Sequence, residues 1–90
     1  MTARLRRADG ILRREVGAEV MLFDPRSESL HVLNRTAAFV WDRLADQPTA
    51  GELVAALGER YEVGAGADVE GDVARVIAEL RGNGLVVEES

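Results

Sequence analysis

Several residue types are scarce or missing in this chain, and each absence removes a class of function. There is no cysteine, which excludes disulfides, thiolate catalysis and cysteine-ligated metal sites. The single histidine cannot anchor an ordinary zinc site without several carboxylates beside it. No apolar run approaches the roughly 18 residues that cross a bilayer, and the charged N-terminus lacks the apolar stretch of a secretory signal. We therefore expect a cytoplasmic protein with no membrane partner.

What the chain does contain is typical of one small globular domain. The 90 residues are 47% hydrophobic and 30% charged, and a chain of this length supports a single core. Because aromatic residues make up only 4%, the core has to consist mainly of valine, leucine and alanine. We expect residues 1–90 to form one domain, in which the polar residues 1–9 are loose.

The charge distribution is uneven and bears on the choice of partner. The net charge is −5, whereas nucleic-acid-binding domains usually carry a basic surface, so no nucleic acid is expected as a partner. All basic residues are arginines, and five of them crowd into the N-terminal stretch: Arg4, Arg6, Arg7, Arg13 and Arg14. This cluster is either a solvated chain end and strand face, which we favour, or a docking surface for an acidic segment.

The N-terminal half shows the short apolar runs and turn residues of a β-meander. Three strands are predicted, at residues 11–16, 19–24 and 29–33. A Gly17-Ala18 turn joins the first two, and a turn beginning at Asp24-Pro25 joins the last two. The third strand carries Leu33 on one face and Leu30 and Val32 on the other. One face must pack on helices, and the other is an exposed apolar patch unless something covers it.

The C-terminal half follows the period of amphipathic helices. Asn34 is placed to cap a first helix over residues 35–46, which Pro48 ends. The sequence Thr49-Ala50-Gly51-Glu52 matches a capping box for a second helix. Asp68 can cap a third helix, which has the cleanest apolar stripe of the chain.

The predicted order is three strands followed by three helices. A three-stranded antiparallel sheet followed by three helices is an α+β fold, and the loop expected at residues 62–67 favours a winged helix-turn-helix-like arrangement. Gly84 suits the left-handed position after the third helix, and residues 85–87 then return to the core or add a short strand. Trp41 lies on the apolar stripe of the first helix and is expected in the core. Phe39 lies off that stripe and either packs on the sheet or stays exposed.

No group of residues has the pattern of a catalytic, cofactor or metal site. His31 is expected to be a strand residue on a partly wet face, and no motif marks a nucleophile near it. We therefore predict that the chain is not an enzyme and needs no cofactor. A DNA-reading role for the third helix is a minor alternative, because that helix carries three acids against two bases: Glu70, Asp72 and Glu79 against Arg75 and Arg81.

The junction between the last strand and the first helix resembles the signature of PqqD-like proteins. The similar stretches are Leu33-Asn34-x-Thr36-Ala37-x-x-x-Trp41, Asp24-Pro25, Thr49-x-x-Glu52-Leu53, Asp72-Val73 and Leu80-x-x-x-Gly84-Leu85. No single motif is specific, but their order and spacing over residues 11–87 are. The resemblance implies a winged helix-turn-helix fold with three N-terminal strands, which agrees with the predicted elements. It also implies a non-catalytic element that recognises the leader part of a ribosomally made peptide.

The resemblance further implies where and how the leader binds. In the family, the leader adds as a strand to the third strand and lies in the groove between that strand and the third helix, which suits the unpaired main chain of an edge strand. The implied peptide-binding residues are Ser29, Leu30, His31, Val32, Leu33, Asp72, Arg75, Val76, Glu79 and Leu80. The implied partners are the precursor peptide and a modifying enzyme or leader peptidase of the same pathway, with a lasso-peptide pathway expected first.

Two departures from the family pattern concern this groove. His31 stands where an aromatic residue is frequent, and Gln47-Pro48 replaces the usual glycine before the second helix. Beside a leader-binding adaptor, two other functions fit the sequence. One is a small winged-helix DNA-binding regulator, and the other is a protein-interaction module without a peptide ligand.

Overall fold

The computed structural model of the protein describes residues 3–60 and 68–89. The strands in these ranges are β1 (Arg4–Arg7), β2 (Leu12–Val16), β3 (Glu19–Asp24), β4 (Ser29–Leu33) and β5 (Val86–Glu89). The helices are α1 (Arg35–Arg43), α2 (Ala50–Arg60) and α3 (Val69–Gly82), and a 3₁₀ turn over Leu44–Asp46 follows α1. The predicted α+β class, with a three-stranded antiparallel sheet followed by three helices, is confirmed. The loop predicted at residues 62–67 lies outside the described residues.

Strands β2, β3 and β4 form one antiparallel sheet in that order, so β4 is an edge. The inner face of this sheet buries Val20, Leu22 and Leu33, and the register pairs Val20 with Leu33 and Leu22 with His31. A shift by one residue would turn these apolar side chains away from the helices, so the hydrophobic pattern holds this register. β2 is exposed along its length and begins at Leu12, one residue later than predicted.

Residues 4–7 form a strand, which corrects the expectation that this part of the N-terminal segment is loose. β1 pairs antiparallel with β5 in a second, two-stranded sheet. Leu5 is buried, and its N–H donates to the carbonyl oxygen of Pro48 at 2.8 Å. The segment carries one large apolar side chain among arginines, so its local sequence gives no strand signal. Its strand partner lies at the other end of the chain.

The predicted caps begin all three helices. Asn34 Oδ1 accepts a first-turn N–H of α1 at 2.8 Å, and Asp68 Oδ1 accepts one of α3 at 3.0 Å. In the capping box of α2, Glu52 Oε1 accepts the Thr49 N–H at 2.8 Å, and Thr49 Oγ1 accepts the Glu52 N–H at 3.2 Å. The bond from the Thr49 N–H is the main cause that lowers the pKa of the Glu52 carboxyl.

The ends of α1 and α3 differ in regularity. Residues 44–46, predicted as helix, tighten into the 3₁₀ turn, and Gln47 then takes a left-handed φ of 52° before Pro48. After α3, Gly84 has a φ of 74°, and the Leu85 N–H donates to the Leu80 carbonyl oxygen at 2.9 Å. This is the hydrogen bonding of a Schellman cap, and it directs the chain into β5.

The core lies between the inner face of the three-stranded sheet and the three helices. Trp41 is buried as predicted, and Phe39 is partly buried against the core with the Arg60 guanidinium 4.9 Å from its ring centroid. The other large buried side chains include Leu22, Val40, Leu44, Leu53, Leu57, Val73 and Leu85. Within the described ranges, no helix has the length and apolar character needed to cross a bilayer.

Candidate functional site

The outer edge of β4 is open. Within the described parts of the chain, β4 is paired only with β3, so the main-chain groups on its other side have no strand partner. Such an edge is a ready template for an additional strand. It runs beside α3, and a hollow lies between the two elements.

Two adjoining hollows form a groove between β4 and α3. The first has a volume of about 300 Å³ and is lined by β4, the start of α1 and the last turns of α3. The second, of about 180 Å³, lies toward the start of α3. Asn34, Val76 and Glu79 line both hollows, so the two adjoin as one channel. Its first part lies along the edge of β4, and its second part lies between the start of α1 and the first half of α3. An extended peptide is the shape of ligand that fits such a channel.

The structure brings nine of the ten sequence-predicted site residues into this groove. Those that line the first hollow are Leu30, His31, Val32, Leu33, Val76, Glu79 and Leu80. Asp72 and Arg75 join Val76 and Glu79 in the second. Ser29 is the exception: it lines neither hollow, and its hydroxyl is 2.7 Å from that of Ser27 at the β3–β4 turn.

The residues of β4 contribute to the groove in two ways. Successive side chains on a strand point to opposite faces, so His31 and Leu33 point to the helical side. Leu30 and Val32 point to the outer face, where they are 60% and 55% exposed. These two residues therefore offer their main chain to the groove rather than their side chains. The prediction that their face of the strand is exposed is confirmed.

Sequence reasoning missed five residues that line the groove. They are Asn34, Thr36 and Ala37 at the start of α1, and Asn83 and Leu85 beyond α3. Asn34 and Gly84 were recognised as cap positions, and the caps themselves turn the chain back at the two ends of the groove. The cap signal could have found these residues, because residues beside a cap lie where two elements meet.

The polar groups of the groove are partly unsatisfied. The His31 Nε2 atom is buried and has no hydrogen-bond partner among the described residues. Asp72 and Arg75 form an i,i+3 ion pair at 3.2 Å, whereas the Glu79 carboxylate has no ion-pair partner in the described ranges. A ligand that donates to His31 Nε2, or accepts from it, would relieve the cost of that buried polar atom.

The lining of the groove combines aliphatic and polar side chains. No group of three or more potential metal ligands occurs in the parts of the chain that the structure describes. Beside its aliphatic side chains, the groove is lined by several polar ones: His31, Asn34, Thr36, Glu79, Asn83 and the Asp72–Arg75 ion pair. The groove therefore offers its shape, the main chain of β4 and a few polar side chains to a ligand.

A family model described as coenzyme PQQ synthesis protein D (PqqD) matches residues 19–86 of the sequence. The chain belongs to the PqqD family. The matched stretch begins with β3 and ends at the first residue of β5, so it contains β4, α3 and both ends of the groove. The resemblance stated from the motifs is thereby confirmed.

Two solved structures resemble this PqqD-family chain over nearly its whole length. Lasso peptide synthetase B1 complexed with the leader peptide is 30% identical, with a TM-score of 0.76 over 92% of this chain and 96% of that one. TbiB1 in complex with the TbiA(beta) leader peptide is 21% identical, with a TM-score of 0.77 over 90% and 93% of the two chains. At that identity the second supports the fold alone. No curated protein matches the sequence.

Proposed function

We propose that the protein is a non-catalytic adaptor that binds the leader segment of a ribosomally made precursor peptide. The leader adds as a strand to the open edge of β4 and lies along α3, and the adaptor presents it to a maturation enzyme. The observation that carries the proposal is the conjunction of an unpaired strand edge with a groove along it. The 30% identical neighbour, whose structure holds a leader peptide, supports the same function.

The chemistry of strand addition fits this edge. Main-chain hydrogen bonds to β4 supply affinity with little demand on the peptide sequence, and pockets for alternate side chains supply selectivity. The five residues of β4 span about 17 Å, which matches five residues of an extended peptide. Side chains on one face of that peptide then enter the groove, where Val76 and Leu80 offer apolar contact and His31 and Glu79 offer polar contact.

The enzyme partner is the more specific part of the proposal. A binding domain without chemistry of its own acts on a peptide only by holding it for another protein. The name of the 30% identical neighbour favours a lasso-peptide pathway. The enzyme that we propose for this pathway is a leader peptidase. Presentation works by raising the local concentration of the peptide near the enzyme, as tethered binding modules do.

The groove is tested by blocking it from an exposed position. Glu79 is exposed and lines both hollows, so Glu79→Trp fills the groove without disturbing the core. We expect this variant to bind a fluorescently labelled leader peptide of its proposed precursor at least tenfold more weakly, by anisotropy. That loss corresponds to about 1.4 kcal/mol of binding free energy. Circular dichroism checks the fold.

Two matched variants control this experiment. Ala78→Trp adds the same side chain at the neighbouring exposed position of α3, which lines neither hollow, and should keep the wild-type affinity within about twofold. Glu79→Gln removes the charge without adding bulk, so it separates the effect of the lost charge from the effect of the larger side chain. A wild-type chain that is folded and does not bind the leader would contradict the function. An equal loss in Ala78→Trp would contradict the groove alone.

Amide NMR shifts locate the peptide independently of any variant. On titration with the leader, the largest shifts should fall in residues 29–33 of β4 and residues 72–80 of α3. Shifts centred on β2, the opposite edge of the sheet, would place the added strand on the wrong side and overturn the proposed geometry.

A further inference from the structure

The outer face of the three-stranded sheet is an exposed apolar surface. The side chains on it are 60% exposed at Leu12, 37% at Phe23, 60% at Leu30, 55% at Val32 and 49% at Val16. These are five of the six exposed large hydrophobic residues among the described residues, and the sixth lies on β5. Contiguous apolar surface of this kind on a soluble domain marks an interaction site. We call it the outer sheet face.

The register makes the outer sheet face continuous. Leu12 pairs with Phe23 and Phe23 with Leu30, so one apolar row crosses all three strands. The neighbouring row consists of Arg14, Met21 and Val32. Leu12, Phe23 and Leu30 also line a shallow hollow of about 500 Å³ together with Arg13, Arg14 and Met21. The surface is thus largely apolar, with the Arg14 guanidinium beside its middle and Glu19, the register partner of Val16, at one end.

That guanidinium stands out among the N-terminal arginines. Arg4 bonds Gln47 and Glu52, Arg6 bonds Asp9 and Glu89, Arg7 bonds the Trp41 carbonyl oxygen, and Arg13 bonds Asp42 and Glu15. Arg14 has no hydrogen-bond or ion-pair partner within the described ranges. The cluster therefore divides into four structural arginines and one whose charge is available on the outer sheet face.

We infer that the outer sheet face docks the maturation enzyme, through an apolar surface of that enzyme that carries a carboxylate opposite Arg14. The inference rests on the proposed function. Apolar contact supplies most of the binding free energy in such an interface, and a carboxylate opposite Arg14 avoids burying an unpaired guanidinium. The occupant is thus defined as a protein with apolar and acidic character at the contact.

A second copy of this chain does not supply that carboxylate. Two copies can stack outer sheet face to outer sheet face in register. If the two-fold axis lies in the plane of the interface and runs perpendicular to the strands, Arg14 lies against Arg14 of the other copy. With the axis parallel to the strands, β2 lies over β4 of the other copy and Arg14 faces Val32. In the first arrangement Glu19 of the other copy lies over Phe23, and in the second it lies over Glu19. Either one therefore buries the guanidinium without an opposite charge, which is costly. Charge complementarity therefore favours a different protein.

The position of this face beside the proposed groove gives it a role in presentation. A leader that adds to β4 becomes the fourth strand of the same sheet, and alternate side chains of the leader then stand on the outer sheet face. An enzyme docked there contacts adaptor and peptide on one continuous surface. We therefore expect the enzyme to bind the leader-loaded adaptor more tightly than the free adaptor.

Surface variants with matched controls test the inference. The probe is the purified maturation enzyme encoded with the precursor peptide, titrated by calorimetry with the leader-free and leader-loaded adaptor. Arg14→Glu and Phe23→Ser should each weaken enzyme binding at least tenfold and leave leader affinity unchanged. Val87→Ser, at a valine of similar exposure on β5, and Arg43→Glu, at an exposed arginine of α1, should bind the enzyme like wild type.

The outcomes separate this inference from the proposed function. Wild-type enzyme affinity in both Arg14→Glu and Phe23→Ser would overturn the docking face while leader binding stands. The variants could instead retain enzyme affinity and lose a dimer seen by light scattering, or lose binding to phosphatidylglycerol vesicles. Either result would assign the outer sheet face to a second copy or to a membrane, and would also overturn the inference. Failure of the wild-type chain to bind the leader would instead contradict the proposed function. Weaker enzyme binding by Arg14→Glu in the leader-free titration would then still support the outer sheet face as the docking site.

Discussion

At the scale of single residues, Asp24 is the one buried charged group among the described residues. Its carboxylate accepts the main-chain N–H of Arg26 at 3.0 Å and two guanidinium bonds from the same residue at 3.1 Å. Arg26 also donates to the Gly84 carbonyl oxygen at 3.2 Å, after the end of α3. These bonds connect the β3–β4 turn to the turn behind α3, so they help to set the spacing of the two groove walls.

The Asp24 pair predicts a pH dependence of stability. The Arg26 side chain is the main cause that lowers the pKa of the Asp24 carboxyl in the folded chain. Because the unfolded chain takes up this proton at an ordinary carboxyl pKa of about 4, the stabilisation is present above that pH. It is lost as the pH falls through the lowered folded value. We expect Asp24→Asn to lower the urea midpoint at neutral pH and to flatten the loss of stability on acidification.

Trp41, the single tryptophan of the chain, reports these urea transitions by fluorescence. The comparison is between wild type and Asp24→Asn at neutral pH and at a pH below the lowered folded value, where the difference in midpoint should shrink. A difference in midpoint that stays constant over this range would contradict the role assigned to the ion pair.

At the scale of elements, β1 shows how a strand forms without a local signal. Its main chain pairs with β5, and its one large apolar side chain, Leu5, is 2% exposed in the core. Pairing between the two ends of the chain closes a long loop, and the cost of that closure is offset by packing and hydrogen bonds that exist only in the folded state. We regard β1 as part of the domain rather than as an attached tail.

Truncation of Leu5 tests the contribution of β1. Leu5→Ala should lower the free energy of unfolding by about 2–5 kcal/mol, because it leaves a cavity in the core. Val87→Ala, on the exposed side of the partner strand β5, should change it by no more than about 0.5 kcal/mol. Urea unfolding measures both variants. Equal, small effects would mean that β1 is not docked in solution.

Replacing two helical glycines by alanine should affect the stability of the protein differently. Gly58 in α2 has no heavy atom within 4 Å of an added Cβ, so Gly58→Ala should stabilise the protein by about 0.5–1 kcal/mol. At Gly71 in α3, an added Cβ would stand 2.2 Å from Asp68 Oδ2. Gly71→Ala therefore displaces the capping carboxylate, whose bond contributes about 1 kcal/mol, and the gain in helix propensity is cancelled. The same stabilisation in both variants would contradict the cap.

At the scale of the whole molecule, charge opposes the use of this fold on DNA. The net charge is −5, and the two arginines of α3 that could meet phosphates are already paired. Arg75 bonds Asp72, and Arg81 bonds Glu88. The acids Glu70 and Glu79 on the same helix would repel a phosphate backbone.

These charges predict no binding to duplex DNA. In an electrophoretic mobility assay at about 50 mM salt, where electrostatic binding is strongest, we expect no shift of a mixed-sequence duplex at micromolar protein. The labelled leader peptide, tested in the same buffer, serves as the positive ligand. A salt-dependent shift of the duplex would contradict this prediction and support the alternative of a winged-helix DNA-binding regulator.

Much of this architecture could be predicted because its determinants are local. The three meander strands follow from apolar runs between turn residues, and the three helix starts follow from Asn34, the Thr49–Glu52 capping box and Asp68. Nine of the ten predicted site residues line one groove because they lie on two elements, β4 and α3, whose faces follow from their periods. The ends of the groove could not be predicted, since they depend on where the caps of α1 and α3 meet in space.

By itself, then, the sequence determined the strands of the meander, the helices and their caps, the apolar character of both faces of β4, and membership of the PqqD family. Only the tertiary structure decided that β1 pairs with β5, that four N-terminal arginines have internal partners while Arg14 has none, and that the outer sheet face stays open. The physical reason is the range of the interactions. Turns and caps are made by residues three or four apart, whereas sheet closure, ion pairing and exposure depend on residues that only folding brings together.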